Sequence, residues 1–154
     1  MRIEDVLKES CIIAELEGRD KRSVIYELAR VLKNAGLIED IDKVAEVLLE
    51  RERLGSTGIG DGVAIPHGKM KGLKTILCAF GRSKEGVEFD AVDGKPVHLF
   101  FLLIAPEDAA SLHLKMLSRV SRLFRDPSFR KRLLTKADDP HEIYTEIIEG
   151  DRKF

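Results

Sequence analysis

"VHLFFLLIA", residues 97–105, decides how this chain folds. A strand with one wet face alternates apolar and polar residues, but this run is apolar on both faces. It reads as a central strand covered by protein on each side. Working outward, "TILCAFGRS" (75–83) is a second apolar β-type run, and "GVEFDAVDGKP" (86–96) between them reads as a short strand with turns. Residues 11–16 and "VAI" (63–65), just before Pro66, supply two more short strands.

Helical patterns surround these strands. Asp20 can cap a helix over "KRSVIYELARVLKNAG" (21–36), where Ile25, Leu28, Ala29 and Leu32 share a face and Gly36 ends it. Asp40 or Asp42 opens a second helix through "KVAEVLLERERLG" (43–55), with Val44, Val47 and Leu48 inward. After Pro106, Leu114, Leu117, Val120 and Phe124 follow helical spacing from about residue 109 to 125. Asp126-Pro127 and Asp139-Pro140 each join a capping carboxylate to a proline at the first helical position, predicting helices that end near 135 and 149. With no repeat, linker or low-complexity segment, the expectation is one α/β domain over 1–154. Its mixed β-sheet has about five strands, flanked by helices on both faces.

Composition narrows the function classes. Of 154 residues 44% are hydrophobic, enough for a packed core, and the formal net charge of −1 draws neither nucleic acid nor an acidic membrane. The cations from Lys115 to Lys136 outnumber the lone acid Asp126, yet no aromatic interleaving or binding motif accompanies them. They read as a solvated face, with nucleic-acid binding disfavoured. Cys11 and Cys78 lie inside apolar runs and read as buried thiols. The start "MRIEDVLKES" lacks the apolar core of a signal peptide, and no apolar run reaches the roughly 18 residues of a membrane span. The expectation is a cytoplasmic protein without membrane insertion.

The chemistry concentrates in "GSTGIGDGVAIPHGK" (55–69), where glycines surround a single imidazole, His67. Glycine-rich loops often cradle phosphate through backbone N–H groups. Two nucleotide motifs fail here: five residues, not four, separate Gly62 from Gly68 and Met70 follows Lys69, while Gly58, Gly60 and Gly62 run G-x-G-x-G. The four histidines, His67, His98, His113 and His141, have no i,i+4 pairing and no HExxH, so no metal site is expected. G-x-S-x-G is absent too. His98 and His141 read as structural or solvated. What remains is an imidazole set by Pro66 on one side and Gly68 on the other, suited to a nucleophile that is neutral near pH 7.

"RERLGSTGIGDGVAIPHGK" (51–69), with "FDAVDGKPVHLFFLLIAP" (89–106) and "LHLKMLSRVSRLF" (112–124), resembles the EIIA domains of the bacterial phosphoenolpyruvate-dependent phosphotransferase system. The likeness is to the mannitol/fructose type (EIIA type 2), and its loop is nearest the nitrogen-related (Ntr) branch. The resemblance implies that His67 accepts a phosphoryl group from the small carrier protein HPr, as a tele-phosphohistidine. It implies that Arg51 supports the phosphoryl group and that His113 lies beside the phosphorylated ring. Backbone groups of Gly58 and Gly60, with the Ser56 and Thr57 hydroxyls, complete the expected phosphate cradle, and no cofactor is implied.

Two outputs stay open at this point. The phosphoryl group passes on to an EIIB component in sugar transport, or the phosphorylation state changes which regulatory protein is bound. The Ntr-like loop and the absence of fused transport domains favour regulation. Hydrolysis through a phosphohistidine would need a positioned base such as Asp61 or Asp93, and neither has a reason to face His67.

Overall fold

A computed structural model describes residues 1–153. The strands are β1 (Ile12–Ile13), β2 (Gly58–Gly60), β3 (Val63–Ala64), β4 (His67–Met70), β5 (Leu77–Val87) and β6 (Val97–Pro106). The helices are α1 (Lys21–Asn34), α2 (Ile41–Arg53), α3 (Ala110–Phe124), α4 (Pro127–Thr135) and α5 (Pro140–Arg152). Asp20, Asp40, Asp126 and Asp139 each cap a helix by accepting a backbone N–H two or three residues on, so Asp40 rather than Asp42 opens α2.

The six strands form one mixed sheet in the order β1-β5-β6-β3-β2, with β4 also paired to β6. β6 is central: apart from His98, every residue from Val97 to Pro106 is buried. The segment 86–96 is not a separate strand, because β5 itself runs on to Val87 against Val97. The stretch 11–16 contributes only Ile12 and Ile13.

The glycine-rich segment is strand rather than loop. β3 and β4 lie parallel to β6 in one unbroken register, Val63 opposite Leu99 and His67 opposite Leu103. They are one line of chain interrupted at Ile65-Pro66, where proline has no N–H to give the ladder. The Pro66 carbonyl still accepts the Leu103 N–H at 2.9 Å.

Side chains alternate across a sheet, which fixes what lies above and below it. Phe80 stacks on Phe124 of α3 and its partner Phe101 meets the same ring edge-on, so α3 covers the face that carries the odd-numbered residues of β6. His67 shares that face through its pairing with Leu103. Gly68, paired with Ile104, points to the other face, where a Cβ would come within 2.8 Å of Val47 on α2. β4 is therefore an edge strand held between α2 on one face and α3 on the other.

One buried cation ties the far end together. Arg82, 1% exposed, donates through Nε to the Ala14 carbonyl at 2.9 Å, and through Nη1 to the carbonyls of Leu133 (2.7 Å) and Ala137 (2.5 Å). These last two belong to the C-terminal end of α4, where unpaired carbonyls and the helix dipole favour a positive charge. Much of the basic run 115–136 is likewise engaged. Arg119 pairs with Asp151, Arg132 pairs with Glu146, and Arg130 binds the carbonyls of Phe124 and Arg125.

Candidate functional site

His67 opens β4 and lines a cleft of about 1100 Å³ between α2 and α3, together with Arg51, Lys69 and His113. Strand alternation puts Lys69 on the same face as His67. Arg51 sits in the last turn of α2, where its Nη1 donates to the Gly55 carbonyl at 2.8 Å. His113 belongs to the first turns of α3 and is 7% exposed. The two imidazole centroids are 5.7 Å apart with the ring planes at 66°. The three residues expected to act together do meet.

The tautomer of His67 is set by the backbone. Its Nδ1 lies 2.7 Å from the Ile65 carbonyl, which can only accept, so Nδ1 carries the hydrogen. Nε2 then holds the lone pair. Burial pulls the His67 pKa below its ordinary 6.5; the Ile65 bond works the other way, and Arg51 adds to the lowering. His113 is lowered too, first by burial and then by His67 and Lys69. Both rings are neutral at pH 7. The His113 Nε2 is buried with no hydrogen-bond partner, a costly arrangement for a polar atom.

The expected cradle residues Ser56, Thr57, Gly58 and Gly60 make other contacts. None of the four lines this cleft. The Ser56 hydroxyl donates to the Phe89 carbonyl at 2.9 Å, and the Thr57 hydroxyl is bonded to Glu52. Gly58 lies so close to Ala91 that a Cβ would approach within 2.8 Å, while Gly60 adopts φ +98° near Asp93. Glycine at 58 allows close packing of β2 against Ala91, and glycine at 60 accommodates the positive φ.

Three features escape a reading of the sequence. Leu114, placed by its spacing on the buried stripe of α3, is 65% exposed; with Leu54 (83%) it gives the cleft an apolar rim. The stripe that is buried runs through His113, Met116, Val120, Leu123 and Phe124. Glu52, inside a charged run, is 7% exposed and buried. Its signal was its spacing, since 44, 48 and 52 fall on one face of α2. The orienting Ile65 carbonyl has no side-chain signal at all.

Residues 5–150 match the profile of a family described as "Phosphoenolpyruvate-dependent sugar phosphotransferase system, EIIA 2". The chain belongs to this EIIA type 2 family. Among its relatives, the nitrogen regulatory protein of Bradyrhizobium diazoefficiens is 43% identical over 139 residues, covering 90% of each chain. The fructose-specific EIIABC component of Bacillus subtilis is 42% identical over 99% of this chain, which spans only 24% of that relative's length. The crystal structure of nitrogen regulatory protein IIA-Ntr from Neisseria meningitidis superposes with a TM-score of 0.87 at 39% identity, covering 94% of this chain and 98% of that one. The match to that structure therefore spans nearly all of the chain. Among the described residues, no helix is long and apolar enough to cross a membrane.

Proposed function

We propose that this EIIA domain accepts a phosphoryl group on Nε2 of His67 from the phosphohistidine of an HPr-type carrier protein. The observation that carries this reading is the bond from Nδ1 to the Ile65 carbonyl, which leaves Nε2 as a neutral nucleophile inside the cleft. In the transfer, the donor's N–P bond breaks as the bond to Nε2 forms, and the electron pair stays with the donor nitrogen. No proton has to leave His67, because the hydrogen already sits on Nδ1 and the Ile65 carbonyl steadies it as the ring gains positive character.

Arg51 supplies a permanent charge for the equatorial oxygens, and its effect already reaches the His67 ring. The His113 Nε2 has no partner in the resting site; with the ring hydrogen there, it would gain an acceptor only when a phosphoryl oxygen arrives, the arrangement that favours the transition state. The exposed Leu54 and Leu114 suit a protein donor, since an apolar rim around a reactive centre is the core of a docking patch. Such a relay between soluble proteins belongs in the cytoplasm.

For the output we favour regulation by phosphorylation-dependent protein binding, supported by the nitrogen regulatory relative that matches along most of both chains. Transfer to an EIIB component is supported by the fructose-specific relative. The test is intact mass after incubation with phosphoenolpyruvate, Enzyme I and HPr, for the wild type and His67→Ala. One phosphoryl group on the wild type alone, acid-labile and base-stable, is the expected result. An unmodified wild type beside an active HPr control would overturn the reading. Loss of that group to a purified EIIB domain would then decide for the relay.

A further inference from the structure

Thr57 and Ile65 face each other where β2 runs on beyond its pairing with β3: Gly58 is opposite Ala64, and the next pair out is Thr57 with Ile65. In an antiparallel ladder such a pair exchanges two bonds, each N–H donating to the other's carbonyl. Here only one is made. The Ile65 N–H donates to the Thr57 carbonyl at 3.0 Å. The Thr57 N–H turns away and donates to the Glu52 carboxylate, at 3.1 and 3.3 Å to its two oxygens. The Ile65 carbonyl, left without its ladder partner, is the group that holds the His67 Nδ1–H.

We infer that Glu52 is the positioning residue that fixes the reactive tautomer of His67, by drawing the Thr57 N–H out of the ladder and so freeing the Ile65 carbonyl for the imidazole. Glu52 does not line the cleft; apart from a small direct electrostatic pull that raises the His67 pKa, it acts through the chain between them. The carboxylate is built to stay there. It is buried in the last turn of α2, takes the Thr57 hydroxyl as well, and is balanced by the Lys21 ammonium at 3.2 Å. Lys21 in turn lies over the Phe89 ring, 5.0 Å from its centroid, and reaches Asp90 at 3.5 Å. A buried charge with this many partners costs too much to be incidental.

The alternative arrangement is ordinary sheet. Without an acceptor at residue 52, the Thr57 N–H would complete the pair with Ile65, and the His67 Nδ1–H would have to compete for the same oxygen. The imidazole would then lose its preference between the two neutral tautomers, and the form with hydrogen on Nε2 has no lone pair there.

The inference rests on the proposed chemistry at His67, but its test is read on unphosphorylated protein, so the two can fail separately. Nitrogen-15 NMR of the His67 ring is compared in the wild type, Glu52→Gln and Glu52→Met. The wild type should show hydrogen on Nδ1. Glu52→Gln keeps an acceptor and should preserve that tautomer, whereas Glu52→Met should give a mixture and slow acceptance from phospho-HPr on the order of 10- to 100-fold. A Glu52→Met ring with the wild-type tautomer would overturn the inference. Should Glu52→Met fail to fold, the wild type decides: the Thr57 amide should show a through-hydrogen-bond coupling to the Glu52 carboxylate carbon, and its absence would overturn the inference equally.

Discussion

The rings of His67 and His113 stand 5.7 Å apart at 66°, one carried by an edge strand and the other by the helix that covers it. Burial holds both toward the neutral form at rest, so His67 keeps its lone pair for the incoming phosphoryl group while Arg51 supplies the fixed positive charge. His113→Ala should slow phosphorylation of His67 about 100-fold, the usual loss for one donor in a preorganised site. His113→Gln, which restores an N–H near the same place, should recover part of that. Rapid-quench transfer from phospho-HPr measures both, and a wild-type rate in His113→Ala would remove the residue from the mechanism.

Acid should weaken the fold through these two rings. Their folded pKa values lie below the ordinary 6.5, so the unfolded chain binds more protons as pH falls through that value. Stability is therefore level above about 6.5 and is lost from there down to the folded pKa values, below which the loss is complete. Melting temperatures of the wild type and the double variant His67→Ala/His113→Ala, followed from pH 7.5 to 5, should show a flatter profile for the variant. Parallel profiles would mean that neither ring is held neutral.

Gly68 lets α2 close onto β4. A methyl group there would meet the Val47 Cγ1 at 2.8 Å, and valine has little rotamer freedom with which to yield. Gly68→Ala should cost about 1–3 kcal/mol in urea unfolding, the range for overpacking. The double variant Gly68→Ala/Val47→Ala should recover part of it, and additive losses would place the strain elsewhere.

Arg82 predicts the opposite separation, stability without chemistry. Arg82→Met strips the end of α4 of its donors and leaves buried carbonyls unpaired, at about 3 kcal/mol. Because Arg82 is absent from the cleft, the folded variant should still take one phosphoryl group per chain, measured by intact mass at a temperature where circular dichroism shows it native.

Legibility in the sequence followed how local each signal was. The aspartate caps at Asp20, Asp126 and Asp139, the face of α1 carrying Ile25, Leu28 and Leu32, and the doubly buried 97–105 strand depend on neighbours in the chain, and they could be read there. The α2 cap was narrowed only to Asp40 or Asp42. His67, Arg51 and His113 were legible only as a motif, since nothing in their own spacing brings a strand, a helix end and a second helix together. β2 and β4 were not legible. Three or four residues rich in glycine carry no alternation to detect, and they are strands only because β6 offers its ladder. Leu114 misled for a related reason: helical spacing gives a face, but the buried stripe of α3 begins one residue earlier, at His113, and leaves Leu114 on its edge.

The interruption at Ile65-Pro66 has a consequence for how durable the site is. Enzymes often steer a histidine with an aspartate or glutamate, a partner that can itself pick up a proton or be exchanged by a single codon change. Here the steering atom is a main-chain oxygen, which every amino acid supplies and no acidity encountered in a cell will neutralise. The orientation of the reactive nitrogen is thereby removed from the reach of substitution at residue 65, and drift there is free to tune packing alone.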